Sequence, residues 1–160
     1  MEKFKIAETS TADINELKTI EVACGLSPWT IQAYEEEFRR PDSVILTVES
    51  AQGVKAGFLV GRAPLDPGGQ AEIYNIGALP QFRRSGVGSM LLNKFRGICD
   101  ARGTAAVWLE VRVSNNTAIT FYRSHGFVST GTRTGFYTNP PEDAQLMRLS
   151  LAPRRSGQTS

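Results

Sequence analysis

The sequence predicts one α/β (α+β) domain in which about four helices flank a mixed, mostly antiparallel central sheet. In the first half of the chain, apolar segments are separated by short Gly-containing connections, which is typical of antiparallel hairpins. The second half alternates strand, helix, strand, helix and strand patterns, which is typical of crossover connections. A chain of 160 residues can bury the core of one domain. We therefore expect residues 1–151 to form that domain and residues 152–160 to be a flexible tail.

Composition excludes several classes of protein. The chain has 18 basic and 16 acidic residues and a net charge of +2, so we expect no nucleic-acid partner. Cys24 and Cys99 have neither the spacing of metal ligands nor that of a disulfide framework, and we expect no metal site. No apolar run approaches the roughly 20 residues that span a bilayer, and the start of the chain lacks a signal sequence. These features favour a cytoplasmic protein that does not bind a membrane.

In the first half, the elements follow from apolar periodicity and from boundary residues. Residues 4–6 predict a short strand. The next element is a helix that begins at Ser10 or Thr11 and ends at Gly25, and Thr30 can cap a second helix. Alternating apolar segments then predict three strands, over residues 43–49, 54–62 and 71–79.

In the second half, longer helical patterns separate the strands. The pattern predicts helices over residues 86–102 and 115–125, with a strand over residues 105–113 between them. We expect His125, at the end of the second of these helices, to favour the negative end of the helix dipole. Two final strands are predicted over residues 127–132 and 145–151, joined by a long loop that contains Asn139-Pro140-Pro141.

Residues 81–89 form the most informative segment because they lie between an apolar strand and an amphipathic helix. A helix N-terminus has unpaired N–H groups and a partial positive charge, so a Gly-containing loop before it can wrap a phosphate. Gly86 and Gly88 permit close approach of the backbone, and Arg83 and Arg84 add positive charge. On spacing alone, an ordinary turn with two surface arginines remains an equal alternative.

Two other phosphate-binding motifs do not fit this segment. A P-loop requires Gly-Lys-Ser or Gly-Lys-Thr after its second glycine, and no such triplet occurs. A dinucleotide fingerprint requires a third glycine where Leu91 stands. Glu110 lies near the separation at which that motif places its ribose-binding acid, but the strand continues beyond Glu110. A nicotinamide enzyme is therefore not favoured.

The spacing Arg83-x-x-Gly86-x-Gly88 resembles the acetyl-CoA pyrophosphate loop of the GNAT N-acetyltransferase superfamily. The run Trp-Leu-Glu-Val-Arg-x-Ser-Asn at residues 108–115 resembles the second half of that fold. More narrowly, it resembles the bacterial N-acetyltransferases that act on the N-terminal alanine of ribosomal protein S18. Further segments carry the resemblance over nearly the whole chain except the tail, at residues 28–29, 75–76, 118–127 and 142–144.

The resemblance implies that the chain binds acetyl-CoA as its co-substrate. By this resemblance, the pantetheine and thioester lie along one strand, at Ile76, Gly77 and Ala78. By the same resemblance, the pyrophosphate is wrapped by the loop and the first helical turn, at Arg84, Ser85, Gly86, Val87, Gly88 and Ser89. It also implies a cofactor contact from Asn115. Without the resemblance, residues 76–78 are an ordinary core strand and Asn115 is a helix N-cap, roles that are compatible with binding.

The resemblance also implies two catalytic residues. Glu110 resembles the general base that takes a proton from the acceptor amine, and Tyr122 resembles the general acid that protonates the departing thiolate. An α-amine has a reference pKa of about 7.7–8.0, so a carboxylate is a sufficient base near neutral pH. From periodicity alone, Glu110 is a solvent-facing residue of an alternating strand and Tyr122 is a core aromatic of a helix.

The acceptor is predicted to be a protein N-terminus, most specifically that of ribosomal protein S18. Trp29 and Tyr137 are candidates to line the peptide entrance, although Trp29 can equally be a core residue. The loop at residues 135–143 departs from the subfamily pattern, since a phenol and an arginine are missing. Two alternatives therefore stay open: a GNAT enzyme that acetylates another protein N-terminus or a small amine, and a non-catalytic acyl-CoA-binding module. The oligomeric state is not predicted.

Overall fold

A computed structural model describes residues 3–151 of the chain. Its elements are β1 (Phe4–Ala7), α1 (Ile14–Cys24), α2 (Ile31–Phe38), β2 (Ser43–Ser50), β3 (Lys55–Arg62), β4 (Gln70–Ala78), α3 (Val87–Ala101), β5 (Ala106–Arg112), α4 (Asn116–Ser124), β6 (Val128–Thr138) and β7 (Pro141–Ser150). Short 3-10 turns precede α1 and α3, at Thr11–Asp13 and Pro80–Phe82. The predicted tail, residues 152–160, lies outside the described residues.

The helix ends follow the local sequence as predicted. Thr30 caps α2 because its Oγ1 accepts a hydrogen bond from the Ala33 N–H at 3.0 Å. Asn115 caps α4 in the same way, with its Oδ1 accepting from the Ala118 N–H at 3.1 Å. At the C-terminus of α1, Gly25 adopts the left-handed conformation, with φ of 65°.

The seven strands form one sheet in the order β1-β2-β3-β4-β5-β7-β6. Only β4 and β5 are parallel, and every other neighbouring pair is antiparallel. The predicted mixed, mostly antiparallel sheet is therefore confirmed. The parallel pair is the one joined by α3, as expected of a strand–helix–strand crossover.

The helices cover the two faces of the sheet in pairs. Helices α1 and α2 pack on one face around a cluster that includes Leu17, Tyr34 and Phe58. On the other face, α3 and α4 pack against a larger cluster that includes Phe95 and Leu109. Among residues 3–151, no helix is long and apolar enough to cross a membrane.

The two central strands separate part-way along their length. Pairing of β4 with β5 ends at Ile73 and Leu109, although β4 continues to Ala78 and β5 to Arg112. Tyr74 is an extra residue of β4, since the register with β3 shifts there. Such a bulge increases the local twist and bends the strand. A wedge-shaped gap therefore opens in the middle of the sheet.

The prediction of a long loop between residues 132 and 145 is wrong. Strand β6 runs to Thr138, which pairs with Pro141 at the start of β7, so the connection is a short turn at Asn139 and Pro140. As an edge strand, β6 has side chains that are almost all exposed, so no apolar alternation marks it in the sequence. A register irregularity around Gly135, which has φ of 66°, further interrupts the pattern.

Candidate active site

The loop before α3 has the backbone geometry of an anion-binding turn. Gly86 is the N-cap of α3 with φ of 84°, and Arg84 has φ of 66°, which is uncommon for a residue with a side chain. The first helical bond runs from the Met90 N–H to the Gly86 carbonyl at 2.9 Å. Because the N–H groups before Met90 have no acceptor within the helix, they are available to a bound anion.

The two glycines of this loop serve different purposes. At Gly86 a Cβ would meet nothing within 4 Å, so the residue is needed for its left-handed backbone. At Gly88 a Cβ would lie 3.2 Å from the ring of Phe121, so the residue is needed for close packing of α3 on α4. Gly88 therefore permits the close approach of α4, and its predicted approach to a phosphate stays a prediction.

His125 joins the end of α4 to the start of α3. Its Nε2 lies 3.0 Å from Ser89 Oγ, within hydrogen-bond distance, and its ring packs on Phe121 with centroids 4.7 Å apart. Beyond the predicted contact with the helix dipole, His125 therefore orients a side chain in the first turn of α3.

The start of α3 lies over the end of β4. Gly57 of β3 pairs with Ala78, and a Cβ on Gly57 would lie 2.7 Å from Val87, the first residue of α3. From the opposite face α1 also packs closely, since a Cβ on Gly77 would lie 3.0 Å from Cys24 Sγ. The candidate phosphate loop is thereby fixed beside the gap.

Backbone groups of β4 face this gap. The Leu79 N–H donates to the Ala56 carbonyl at 2.8 Å, and alternate residues of an antiparallel ladder bond to the same partner strand. Ile76 and Ala78 therefore direct their N–H groups away from β3, toward the side where β5 has separated. The Ala78 carbonyl accepts a hydrogen bond from the Cys24 thiol at 3.1 Å.

Glu110 lies on β5 one residue beyond the last pair with β4. Its neighbours Leu109 and Val111 are buried on the α3–α4 face, so Glu110 points to the α1–α2 face. Its side chain is 22% exposed, and Oε1 accepts a hydrogen bond from Arg133 Nη1 at 2.7 Å. Glu110 is therefore a half-buried carboxylate at the mouth of the gap, held by an arginine from β6.

Tyr137 lies on the same face as Glu110, in the β6–β7 hairpin. The guanidinium of Arg112 stacks on its ring at 4.2 Å and donates hydrogen bonds to the carbonyls of Asn139 and Pro140. Burial, with the nearby charge of Glu110, raises the pKa of the Tyr137 phenol. Arg112 thus fixes the hairpin next to the carboxylate.

Glu142 completes this attachment. Its Oε2 accepts a hydrogen bond from the Ser114 N–H at 2.8 Å, and its Oε1 lies 3.3 Å from Arg112 Nη1. Hydrogen bonds from Ser114, with that of Arg112, hold the pKa of the Glu142 carboxyl below its ordinary value. The ionised carboxylate therefore ties β7 to the end of β5.

Tyr122 lies on α4, on the opposite face of the sheet from Glu110. Its ring packs against Phe121 and Phe127, with centroids 5.5 and 5.7 Å away, and the residue is 7% exposed. Burial raises the pKa of its phenol above the ordinary value, with a smaller effect from Tyr137. Tyr122 is therefore both the core aromatic that periodicity predicts and a phenol that keeps its proton at physiological pH.

Trp29 lies in the α1–α2 connection. Its ring packs on Tyr34, with centroids 5.2 Å apart, and on Tyr74, with centroids 6.1 Å apart. Tyr74 is the bulged residue of β4 and is 37% exposed. Trp29 is thus a half-buried residue between the α1–α2 cluster and the face that carries Glu110.

This geometry places an anion-binding helix N-terminus, unpaired strand groups and a carboxylate around one gap in a mixed sheet. The sequence model of the acetyltransferase (GNAT) family matches residues 14–127. The chain belongs to the GNAT family. Its sheet with separated central strands is therefore a GNAT fold, and the protein is an acyltransferase of that family.

Two curated relatives match over almost their whole length. The [ribosomal protein bS18]-alanine N-acetyltransferase of Salmonella typhimurium is 32% identical over 150 residues, covering 92% of this chain and 97% of the relative. The enzyme of the same name from Escherichia coli is 30% identical over 149 residues, with the same coverage. The crystal structure of the E. coli ribosomal-protein-S18-alanine N-acetyltransferase matches with a TM-score of 0.84 and 28% identity, covering 99% of this chain and 100% of that chain.

Two residues beside this candidate site, Arg133 and Tyr74, were missed by the sequence reasoning. Arg133 holds Glu110 across 23 residues of sequence, and nothing local marks that contact. Tyr74 reaches the same face only because of the bulge in β4.

In residues 3–151 there is no cluster of three or more His, Cys, Asp or Glu side chains placed to hold a metal ion.

Proposed function

We propose that this protein transfers the acetyl group of acetyl-CoA to the N-terminal α-amine of a protein, with the N-terminal alanine of ribosomal protein S18 as its acceptor. The observation that carries the proposal is the position of Glu110 at the gap, on the face opposite α3. A cofactor held by the α3 N-terminus and an amine beside Glu110 would meet through the gap. The names of the curated relatives support the acceptor.

The residues around the gap fit acetyl-CoA, which supplies an acetyl thioester. We assign the pyrophosphate to Arg84, Ser85, Gly86, Val87, Gly88 and Ser89, which offer the unpaired N–H groups of the first turn of α3 and the polar side chains of Arg84, Ser85 and Ser89. The N–H groups of Ile76 and Ala78 are directed into the gap, where they would pair with the pantetheine and stabilise the developing oxyanion. Gly77 bonds to β3 instead, so its contribution is to let α1 pack closely. Asn115, which caps α4, is assigned a cofactor contact.

Glu110 is the proposed general base. An α-amine is mostly protonated at pH 7, and a carboxylate at hydrogen-bond distance, directly or through one water, removes that proton. Arg133 holds Oε1 at 2.7 Å and leaves Oε2 for the amine. The other member of the ion pair, Arg133, is partly in contact with solvent, since its side chain is 55% exposed.

Tyr122 is the proposed general acid. Burial keeps the phenol protonated, so it can give its proton to the thiolate as the thioester bond breaks. Because the acid and the base lie on opposite faces of β5, each can act on one side of the reacting carbonyl. Transfer is therefore proposed to be direct, without a covalent intermediate on the enzyme.

Trp29 and Tyr137 are the proposed walls of the acceptor site. They approach from opposite sides, Trp29 from the α1–α2 connection and Tyr137 from the β6–β7 hairpin. Tyr74 contacts Trp29, while Tyr137 is stacked by Arg112. Aromatic walls of this kind suit the first side chains of an extended peptide.

A steady-state comparison of acceptors tests the proposal. A peptide with the N-terminal sequence of S18 is compared, at saturating acetyl-CoA, with peptides altered at the first residue, free amino acids and polyamines. We expect the highest kcat/KM for the peptide that begins with alanine. No turnover of any peptide, together with turnover of a small amine, would overturn the proposed acceptor.

Two Gly→Ala substitutions, one at the N-cap of α3 and one within the helix, separate the loop geometry from helix stability. Gly86→Ala places a Cβ at a left-handed position, at a cost of about 1–2 kcal/mol, so the loop is expected to relax and CoA to bind at least about fivefold more weakly. Gly97→Ala, also in open space but mid-helix, is expected to stabilise the protein by about 0.5–1 kcal/mol. Calorimetric titration measures the CoA affinity of both variants, and thermal unfolding measures their stability. Equal affinities in the two variants would contradict the assigned cofactor loop.

A further inference from the structure

A buried carboxylate lies in the apolar stripe of α1. Glu21 is 1% exposed and follows Ile20, which packs in the α1–α2 cluster. Its Oε2 accepts hydrogen bonds from Tyr34 Oη at 2.7 Å and from the Trp29 N–H at 3.0 Å. Its Oε1 lies 3.8 Å from Lys18 Nζ. A buried charge is tolerated only with such partners, and removing the carboxylate alone would leave the buried Tyr34 hydroxyl and the Trp29 N–H without their acceptor.

The partners of Glu21 converge on the main chain of Trp29. The Trp29 N–H donates to Glu21, and the Trp29 carbonyl accepts a hydrogen bond from Lys18 Nζ. Both backbone groups of one residue in the α1–α2 connection are therefore fixed by neighbouring positions of α1. Tyr34 is fully buried, and its ring packs on the indole of Trp29, with centroids 5.2 Å apart.

The contacts of Trp29 lead from this network to the gap. Its ring packs on Tyr74, the bulged residue that follows the last β4–β5 pair. Glu110 is the corresponding next residue of β5, and it points to the same face. Trp29 therefore contacts the β4 residue that lies at the same level of the sheet as Glu110.

We propose that Glu21 is a positioning residue for the acceptor, which acts by fixing Trp29 so that its ring and Tyr74 form one wall of the acceptor site. The inference rests on the proposed function for the class of acceptor, a peptide N-terminus. Glu21 does not touch the acceptor or the cofactor. Its substitution therefore changes acceptor binding while the cofactor site on the other face of the sheet keeps its affinity.

The test is Glu21→Met, which keeps the length of the side chain and removes the hydrogen-bond acceptor. We expect the KM for an alanine-terminated peptide to rise at least about tenfold, with the KM for acetyl-CoA changed less than about twofold. Leu17→Ala is the matched control, because Leu17 is fully buried on the same face of α1 and its side chain has no group that can hydrogen-bond to the Trp29 main chain. It is expected to lower the melting temperature without a selective rise in the KM for the peptide.

A second measurement follows Trp29 directly. In a Trp108→Phe background Trp29 is the single tryptophan of the chain, and Glu21→Met is expected to increase quenching of its fluorescence by acrylamide. The inference would be overturned if the KM for the peptide were unchanged in Glu21→Met, or if it rose equally in Glu21→Met and Leu17→Ala. Absence of peptide turnover in the wild-type protein would instead overturn the proposed function, so the two failures are distinguishable.

Discussion

Replacing Glu110 with Gln is expected to lower kcat about 100-fold at pH 7, which lies in the range that a positioned general base contributes. Gln keeps the shape of the side chain and an oxygen that can still accept the hydrogen bond from Arg133. The loss therefore reports the missing proton acceptor. Binding of CoA, which depends on α3 and the end of β4, is expected to change less than about twofold.

The pH dependence of the Glu110→Gln defect is a further check. Above the reference pKa of about 7.7–8.0 the acceptor α-amine loses its proton to solvent, so the base is needed less and the defect should shrink toward about tenfold at pH 9.5. Asp42→Asn is the control, since it removes a half-buried carboxylate that is also paired with an arginine, Arg40. A kcat of Glu110→Gln within about threefold of the wild-type value would exclude Glu110 as the base.

Tyr122→Phe is expected to lower kcat about 10- to 100-fold. The departing thiolate is a moderately good leaving group, since thiols have pKa values near about 8.5, so its protonation contributes at the lower end of the general-acid range. Because burial raises the pKa of the Tyr122 phenol, its proton stays available on the alkaline side of the pH profile. Single-turnover rates with saturating acetyl-CoA and peptide measure this step.

The melting temperature is the control for Tyr122→Phe. Phe keeps the ring that packs on Phe121 and Phe127 and removes only the hydroxyl, so stability and CoA affinity should stay close to those of the wild-type protein. Activity that persists unchanged in a stable Tyr122→Phe protein would mean that the thiolate leaves without this proton.

Local signals predicted most of the fold. The apolar periodicities located the helices and six of the seven strands to within a few residues, and the strand–helix–strand order predicted the parallel pair. The separation of β4 from β5 could not be predicted in the same way. It depends on the bulge at Tyr74 and on where pairing ends, both of which involve neighbouring strands distant in sequence.

In the candidate site too, features made by residues adjacent in sequence were predicted, and contacts between distant residues were not. The loop before α3 was predicted because its glycines and arginines are adjacent in sequence, whereas the Glu110–Arg133 pair joins two strands that are not neighbours in the sheet. Glu21 carried a signal that was passed over. It continues the apolar stripe of Ile14 and Leu17 at helical spacing, where a carboxylate needs an explanation. The β6–β7 hairpin gave no such signal, because its edge strand faces solvent.

The most direct test of the account is the position of the transferred acetyl group. A peptide that begins with alanine and contains one internal lysine is incubated with the protein and acetyl-CoA, and the product is sequenced by tandem mass spectrometry. We predict one acetyl group on the α-amine of the alanine and none on the lysine, and no transfer to the same peptide with its N-terminus blocked. Acetylation of the lysine, or equal modification of the blocked peptide, would contradict the assignment of an N-terminal acetyltransferase.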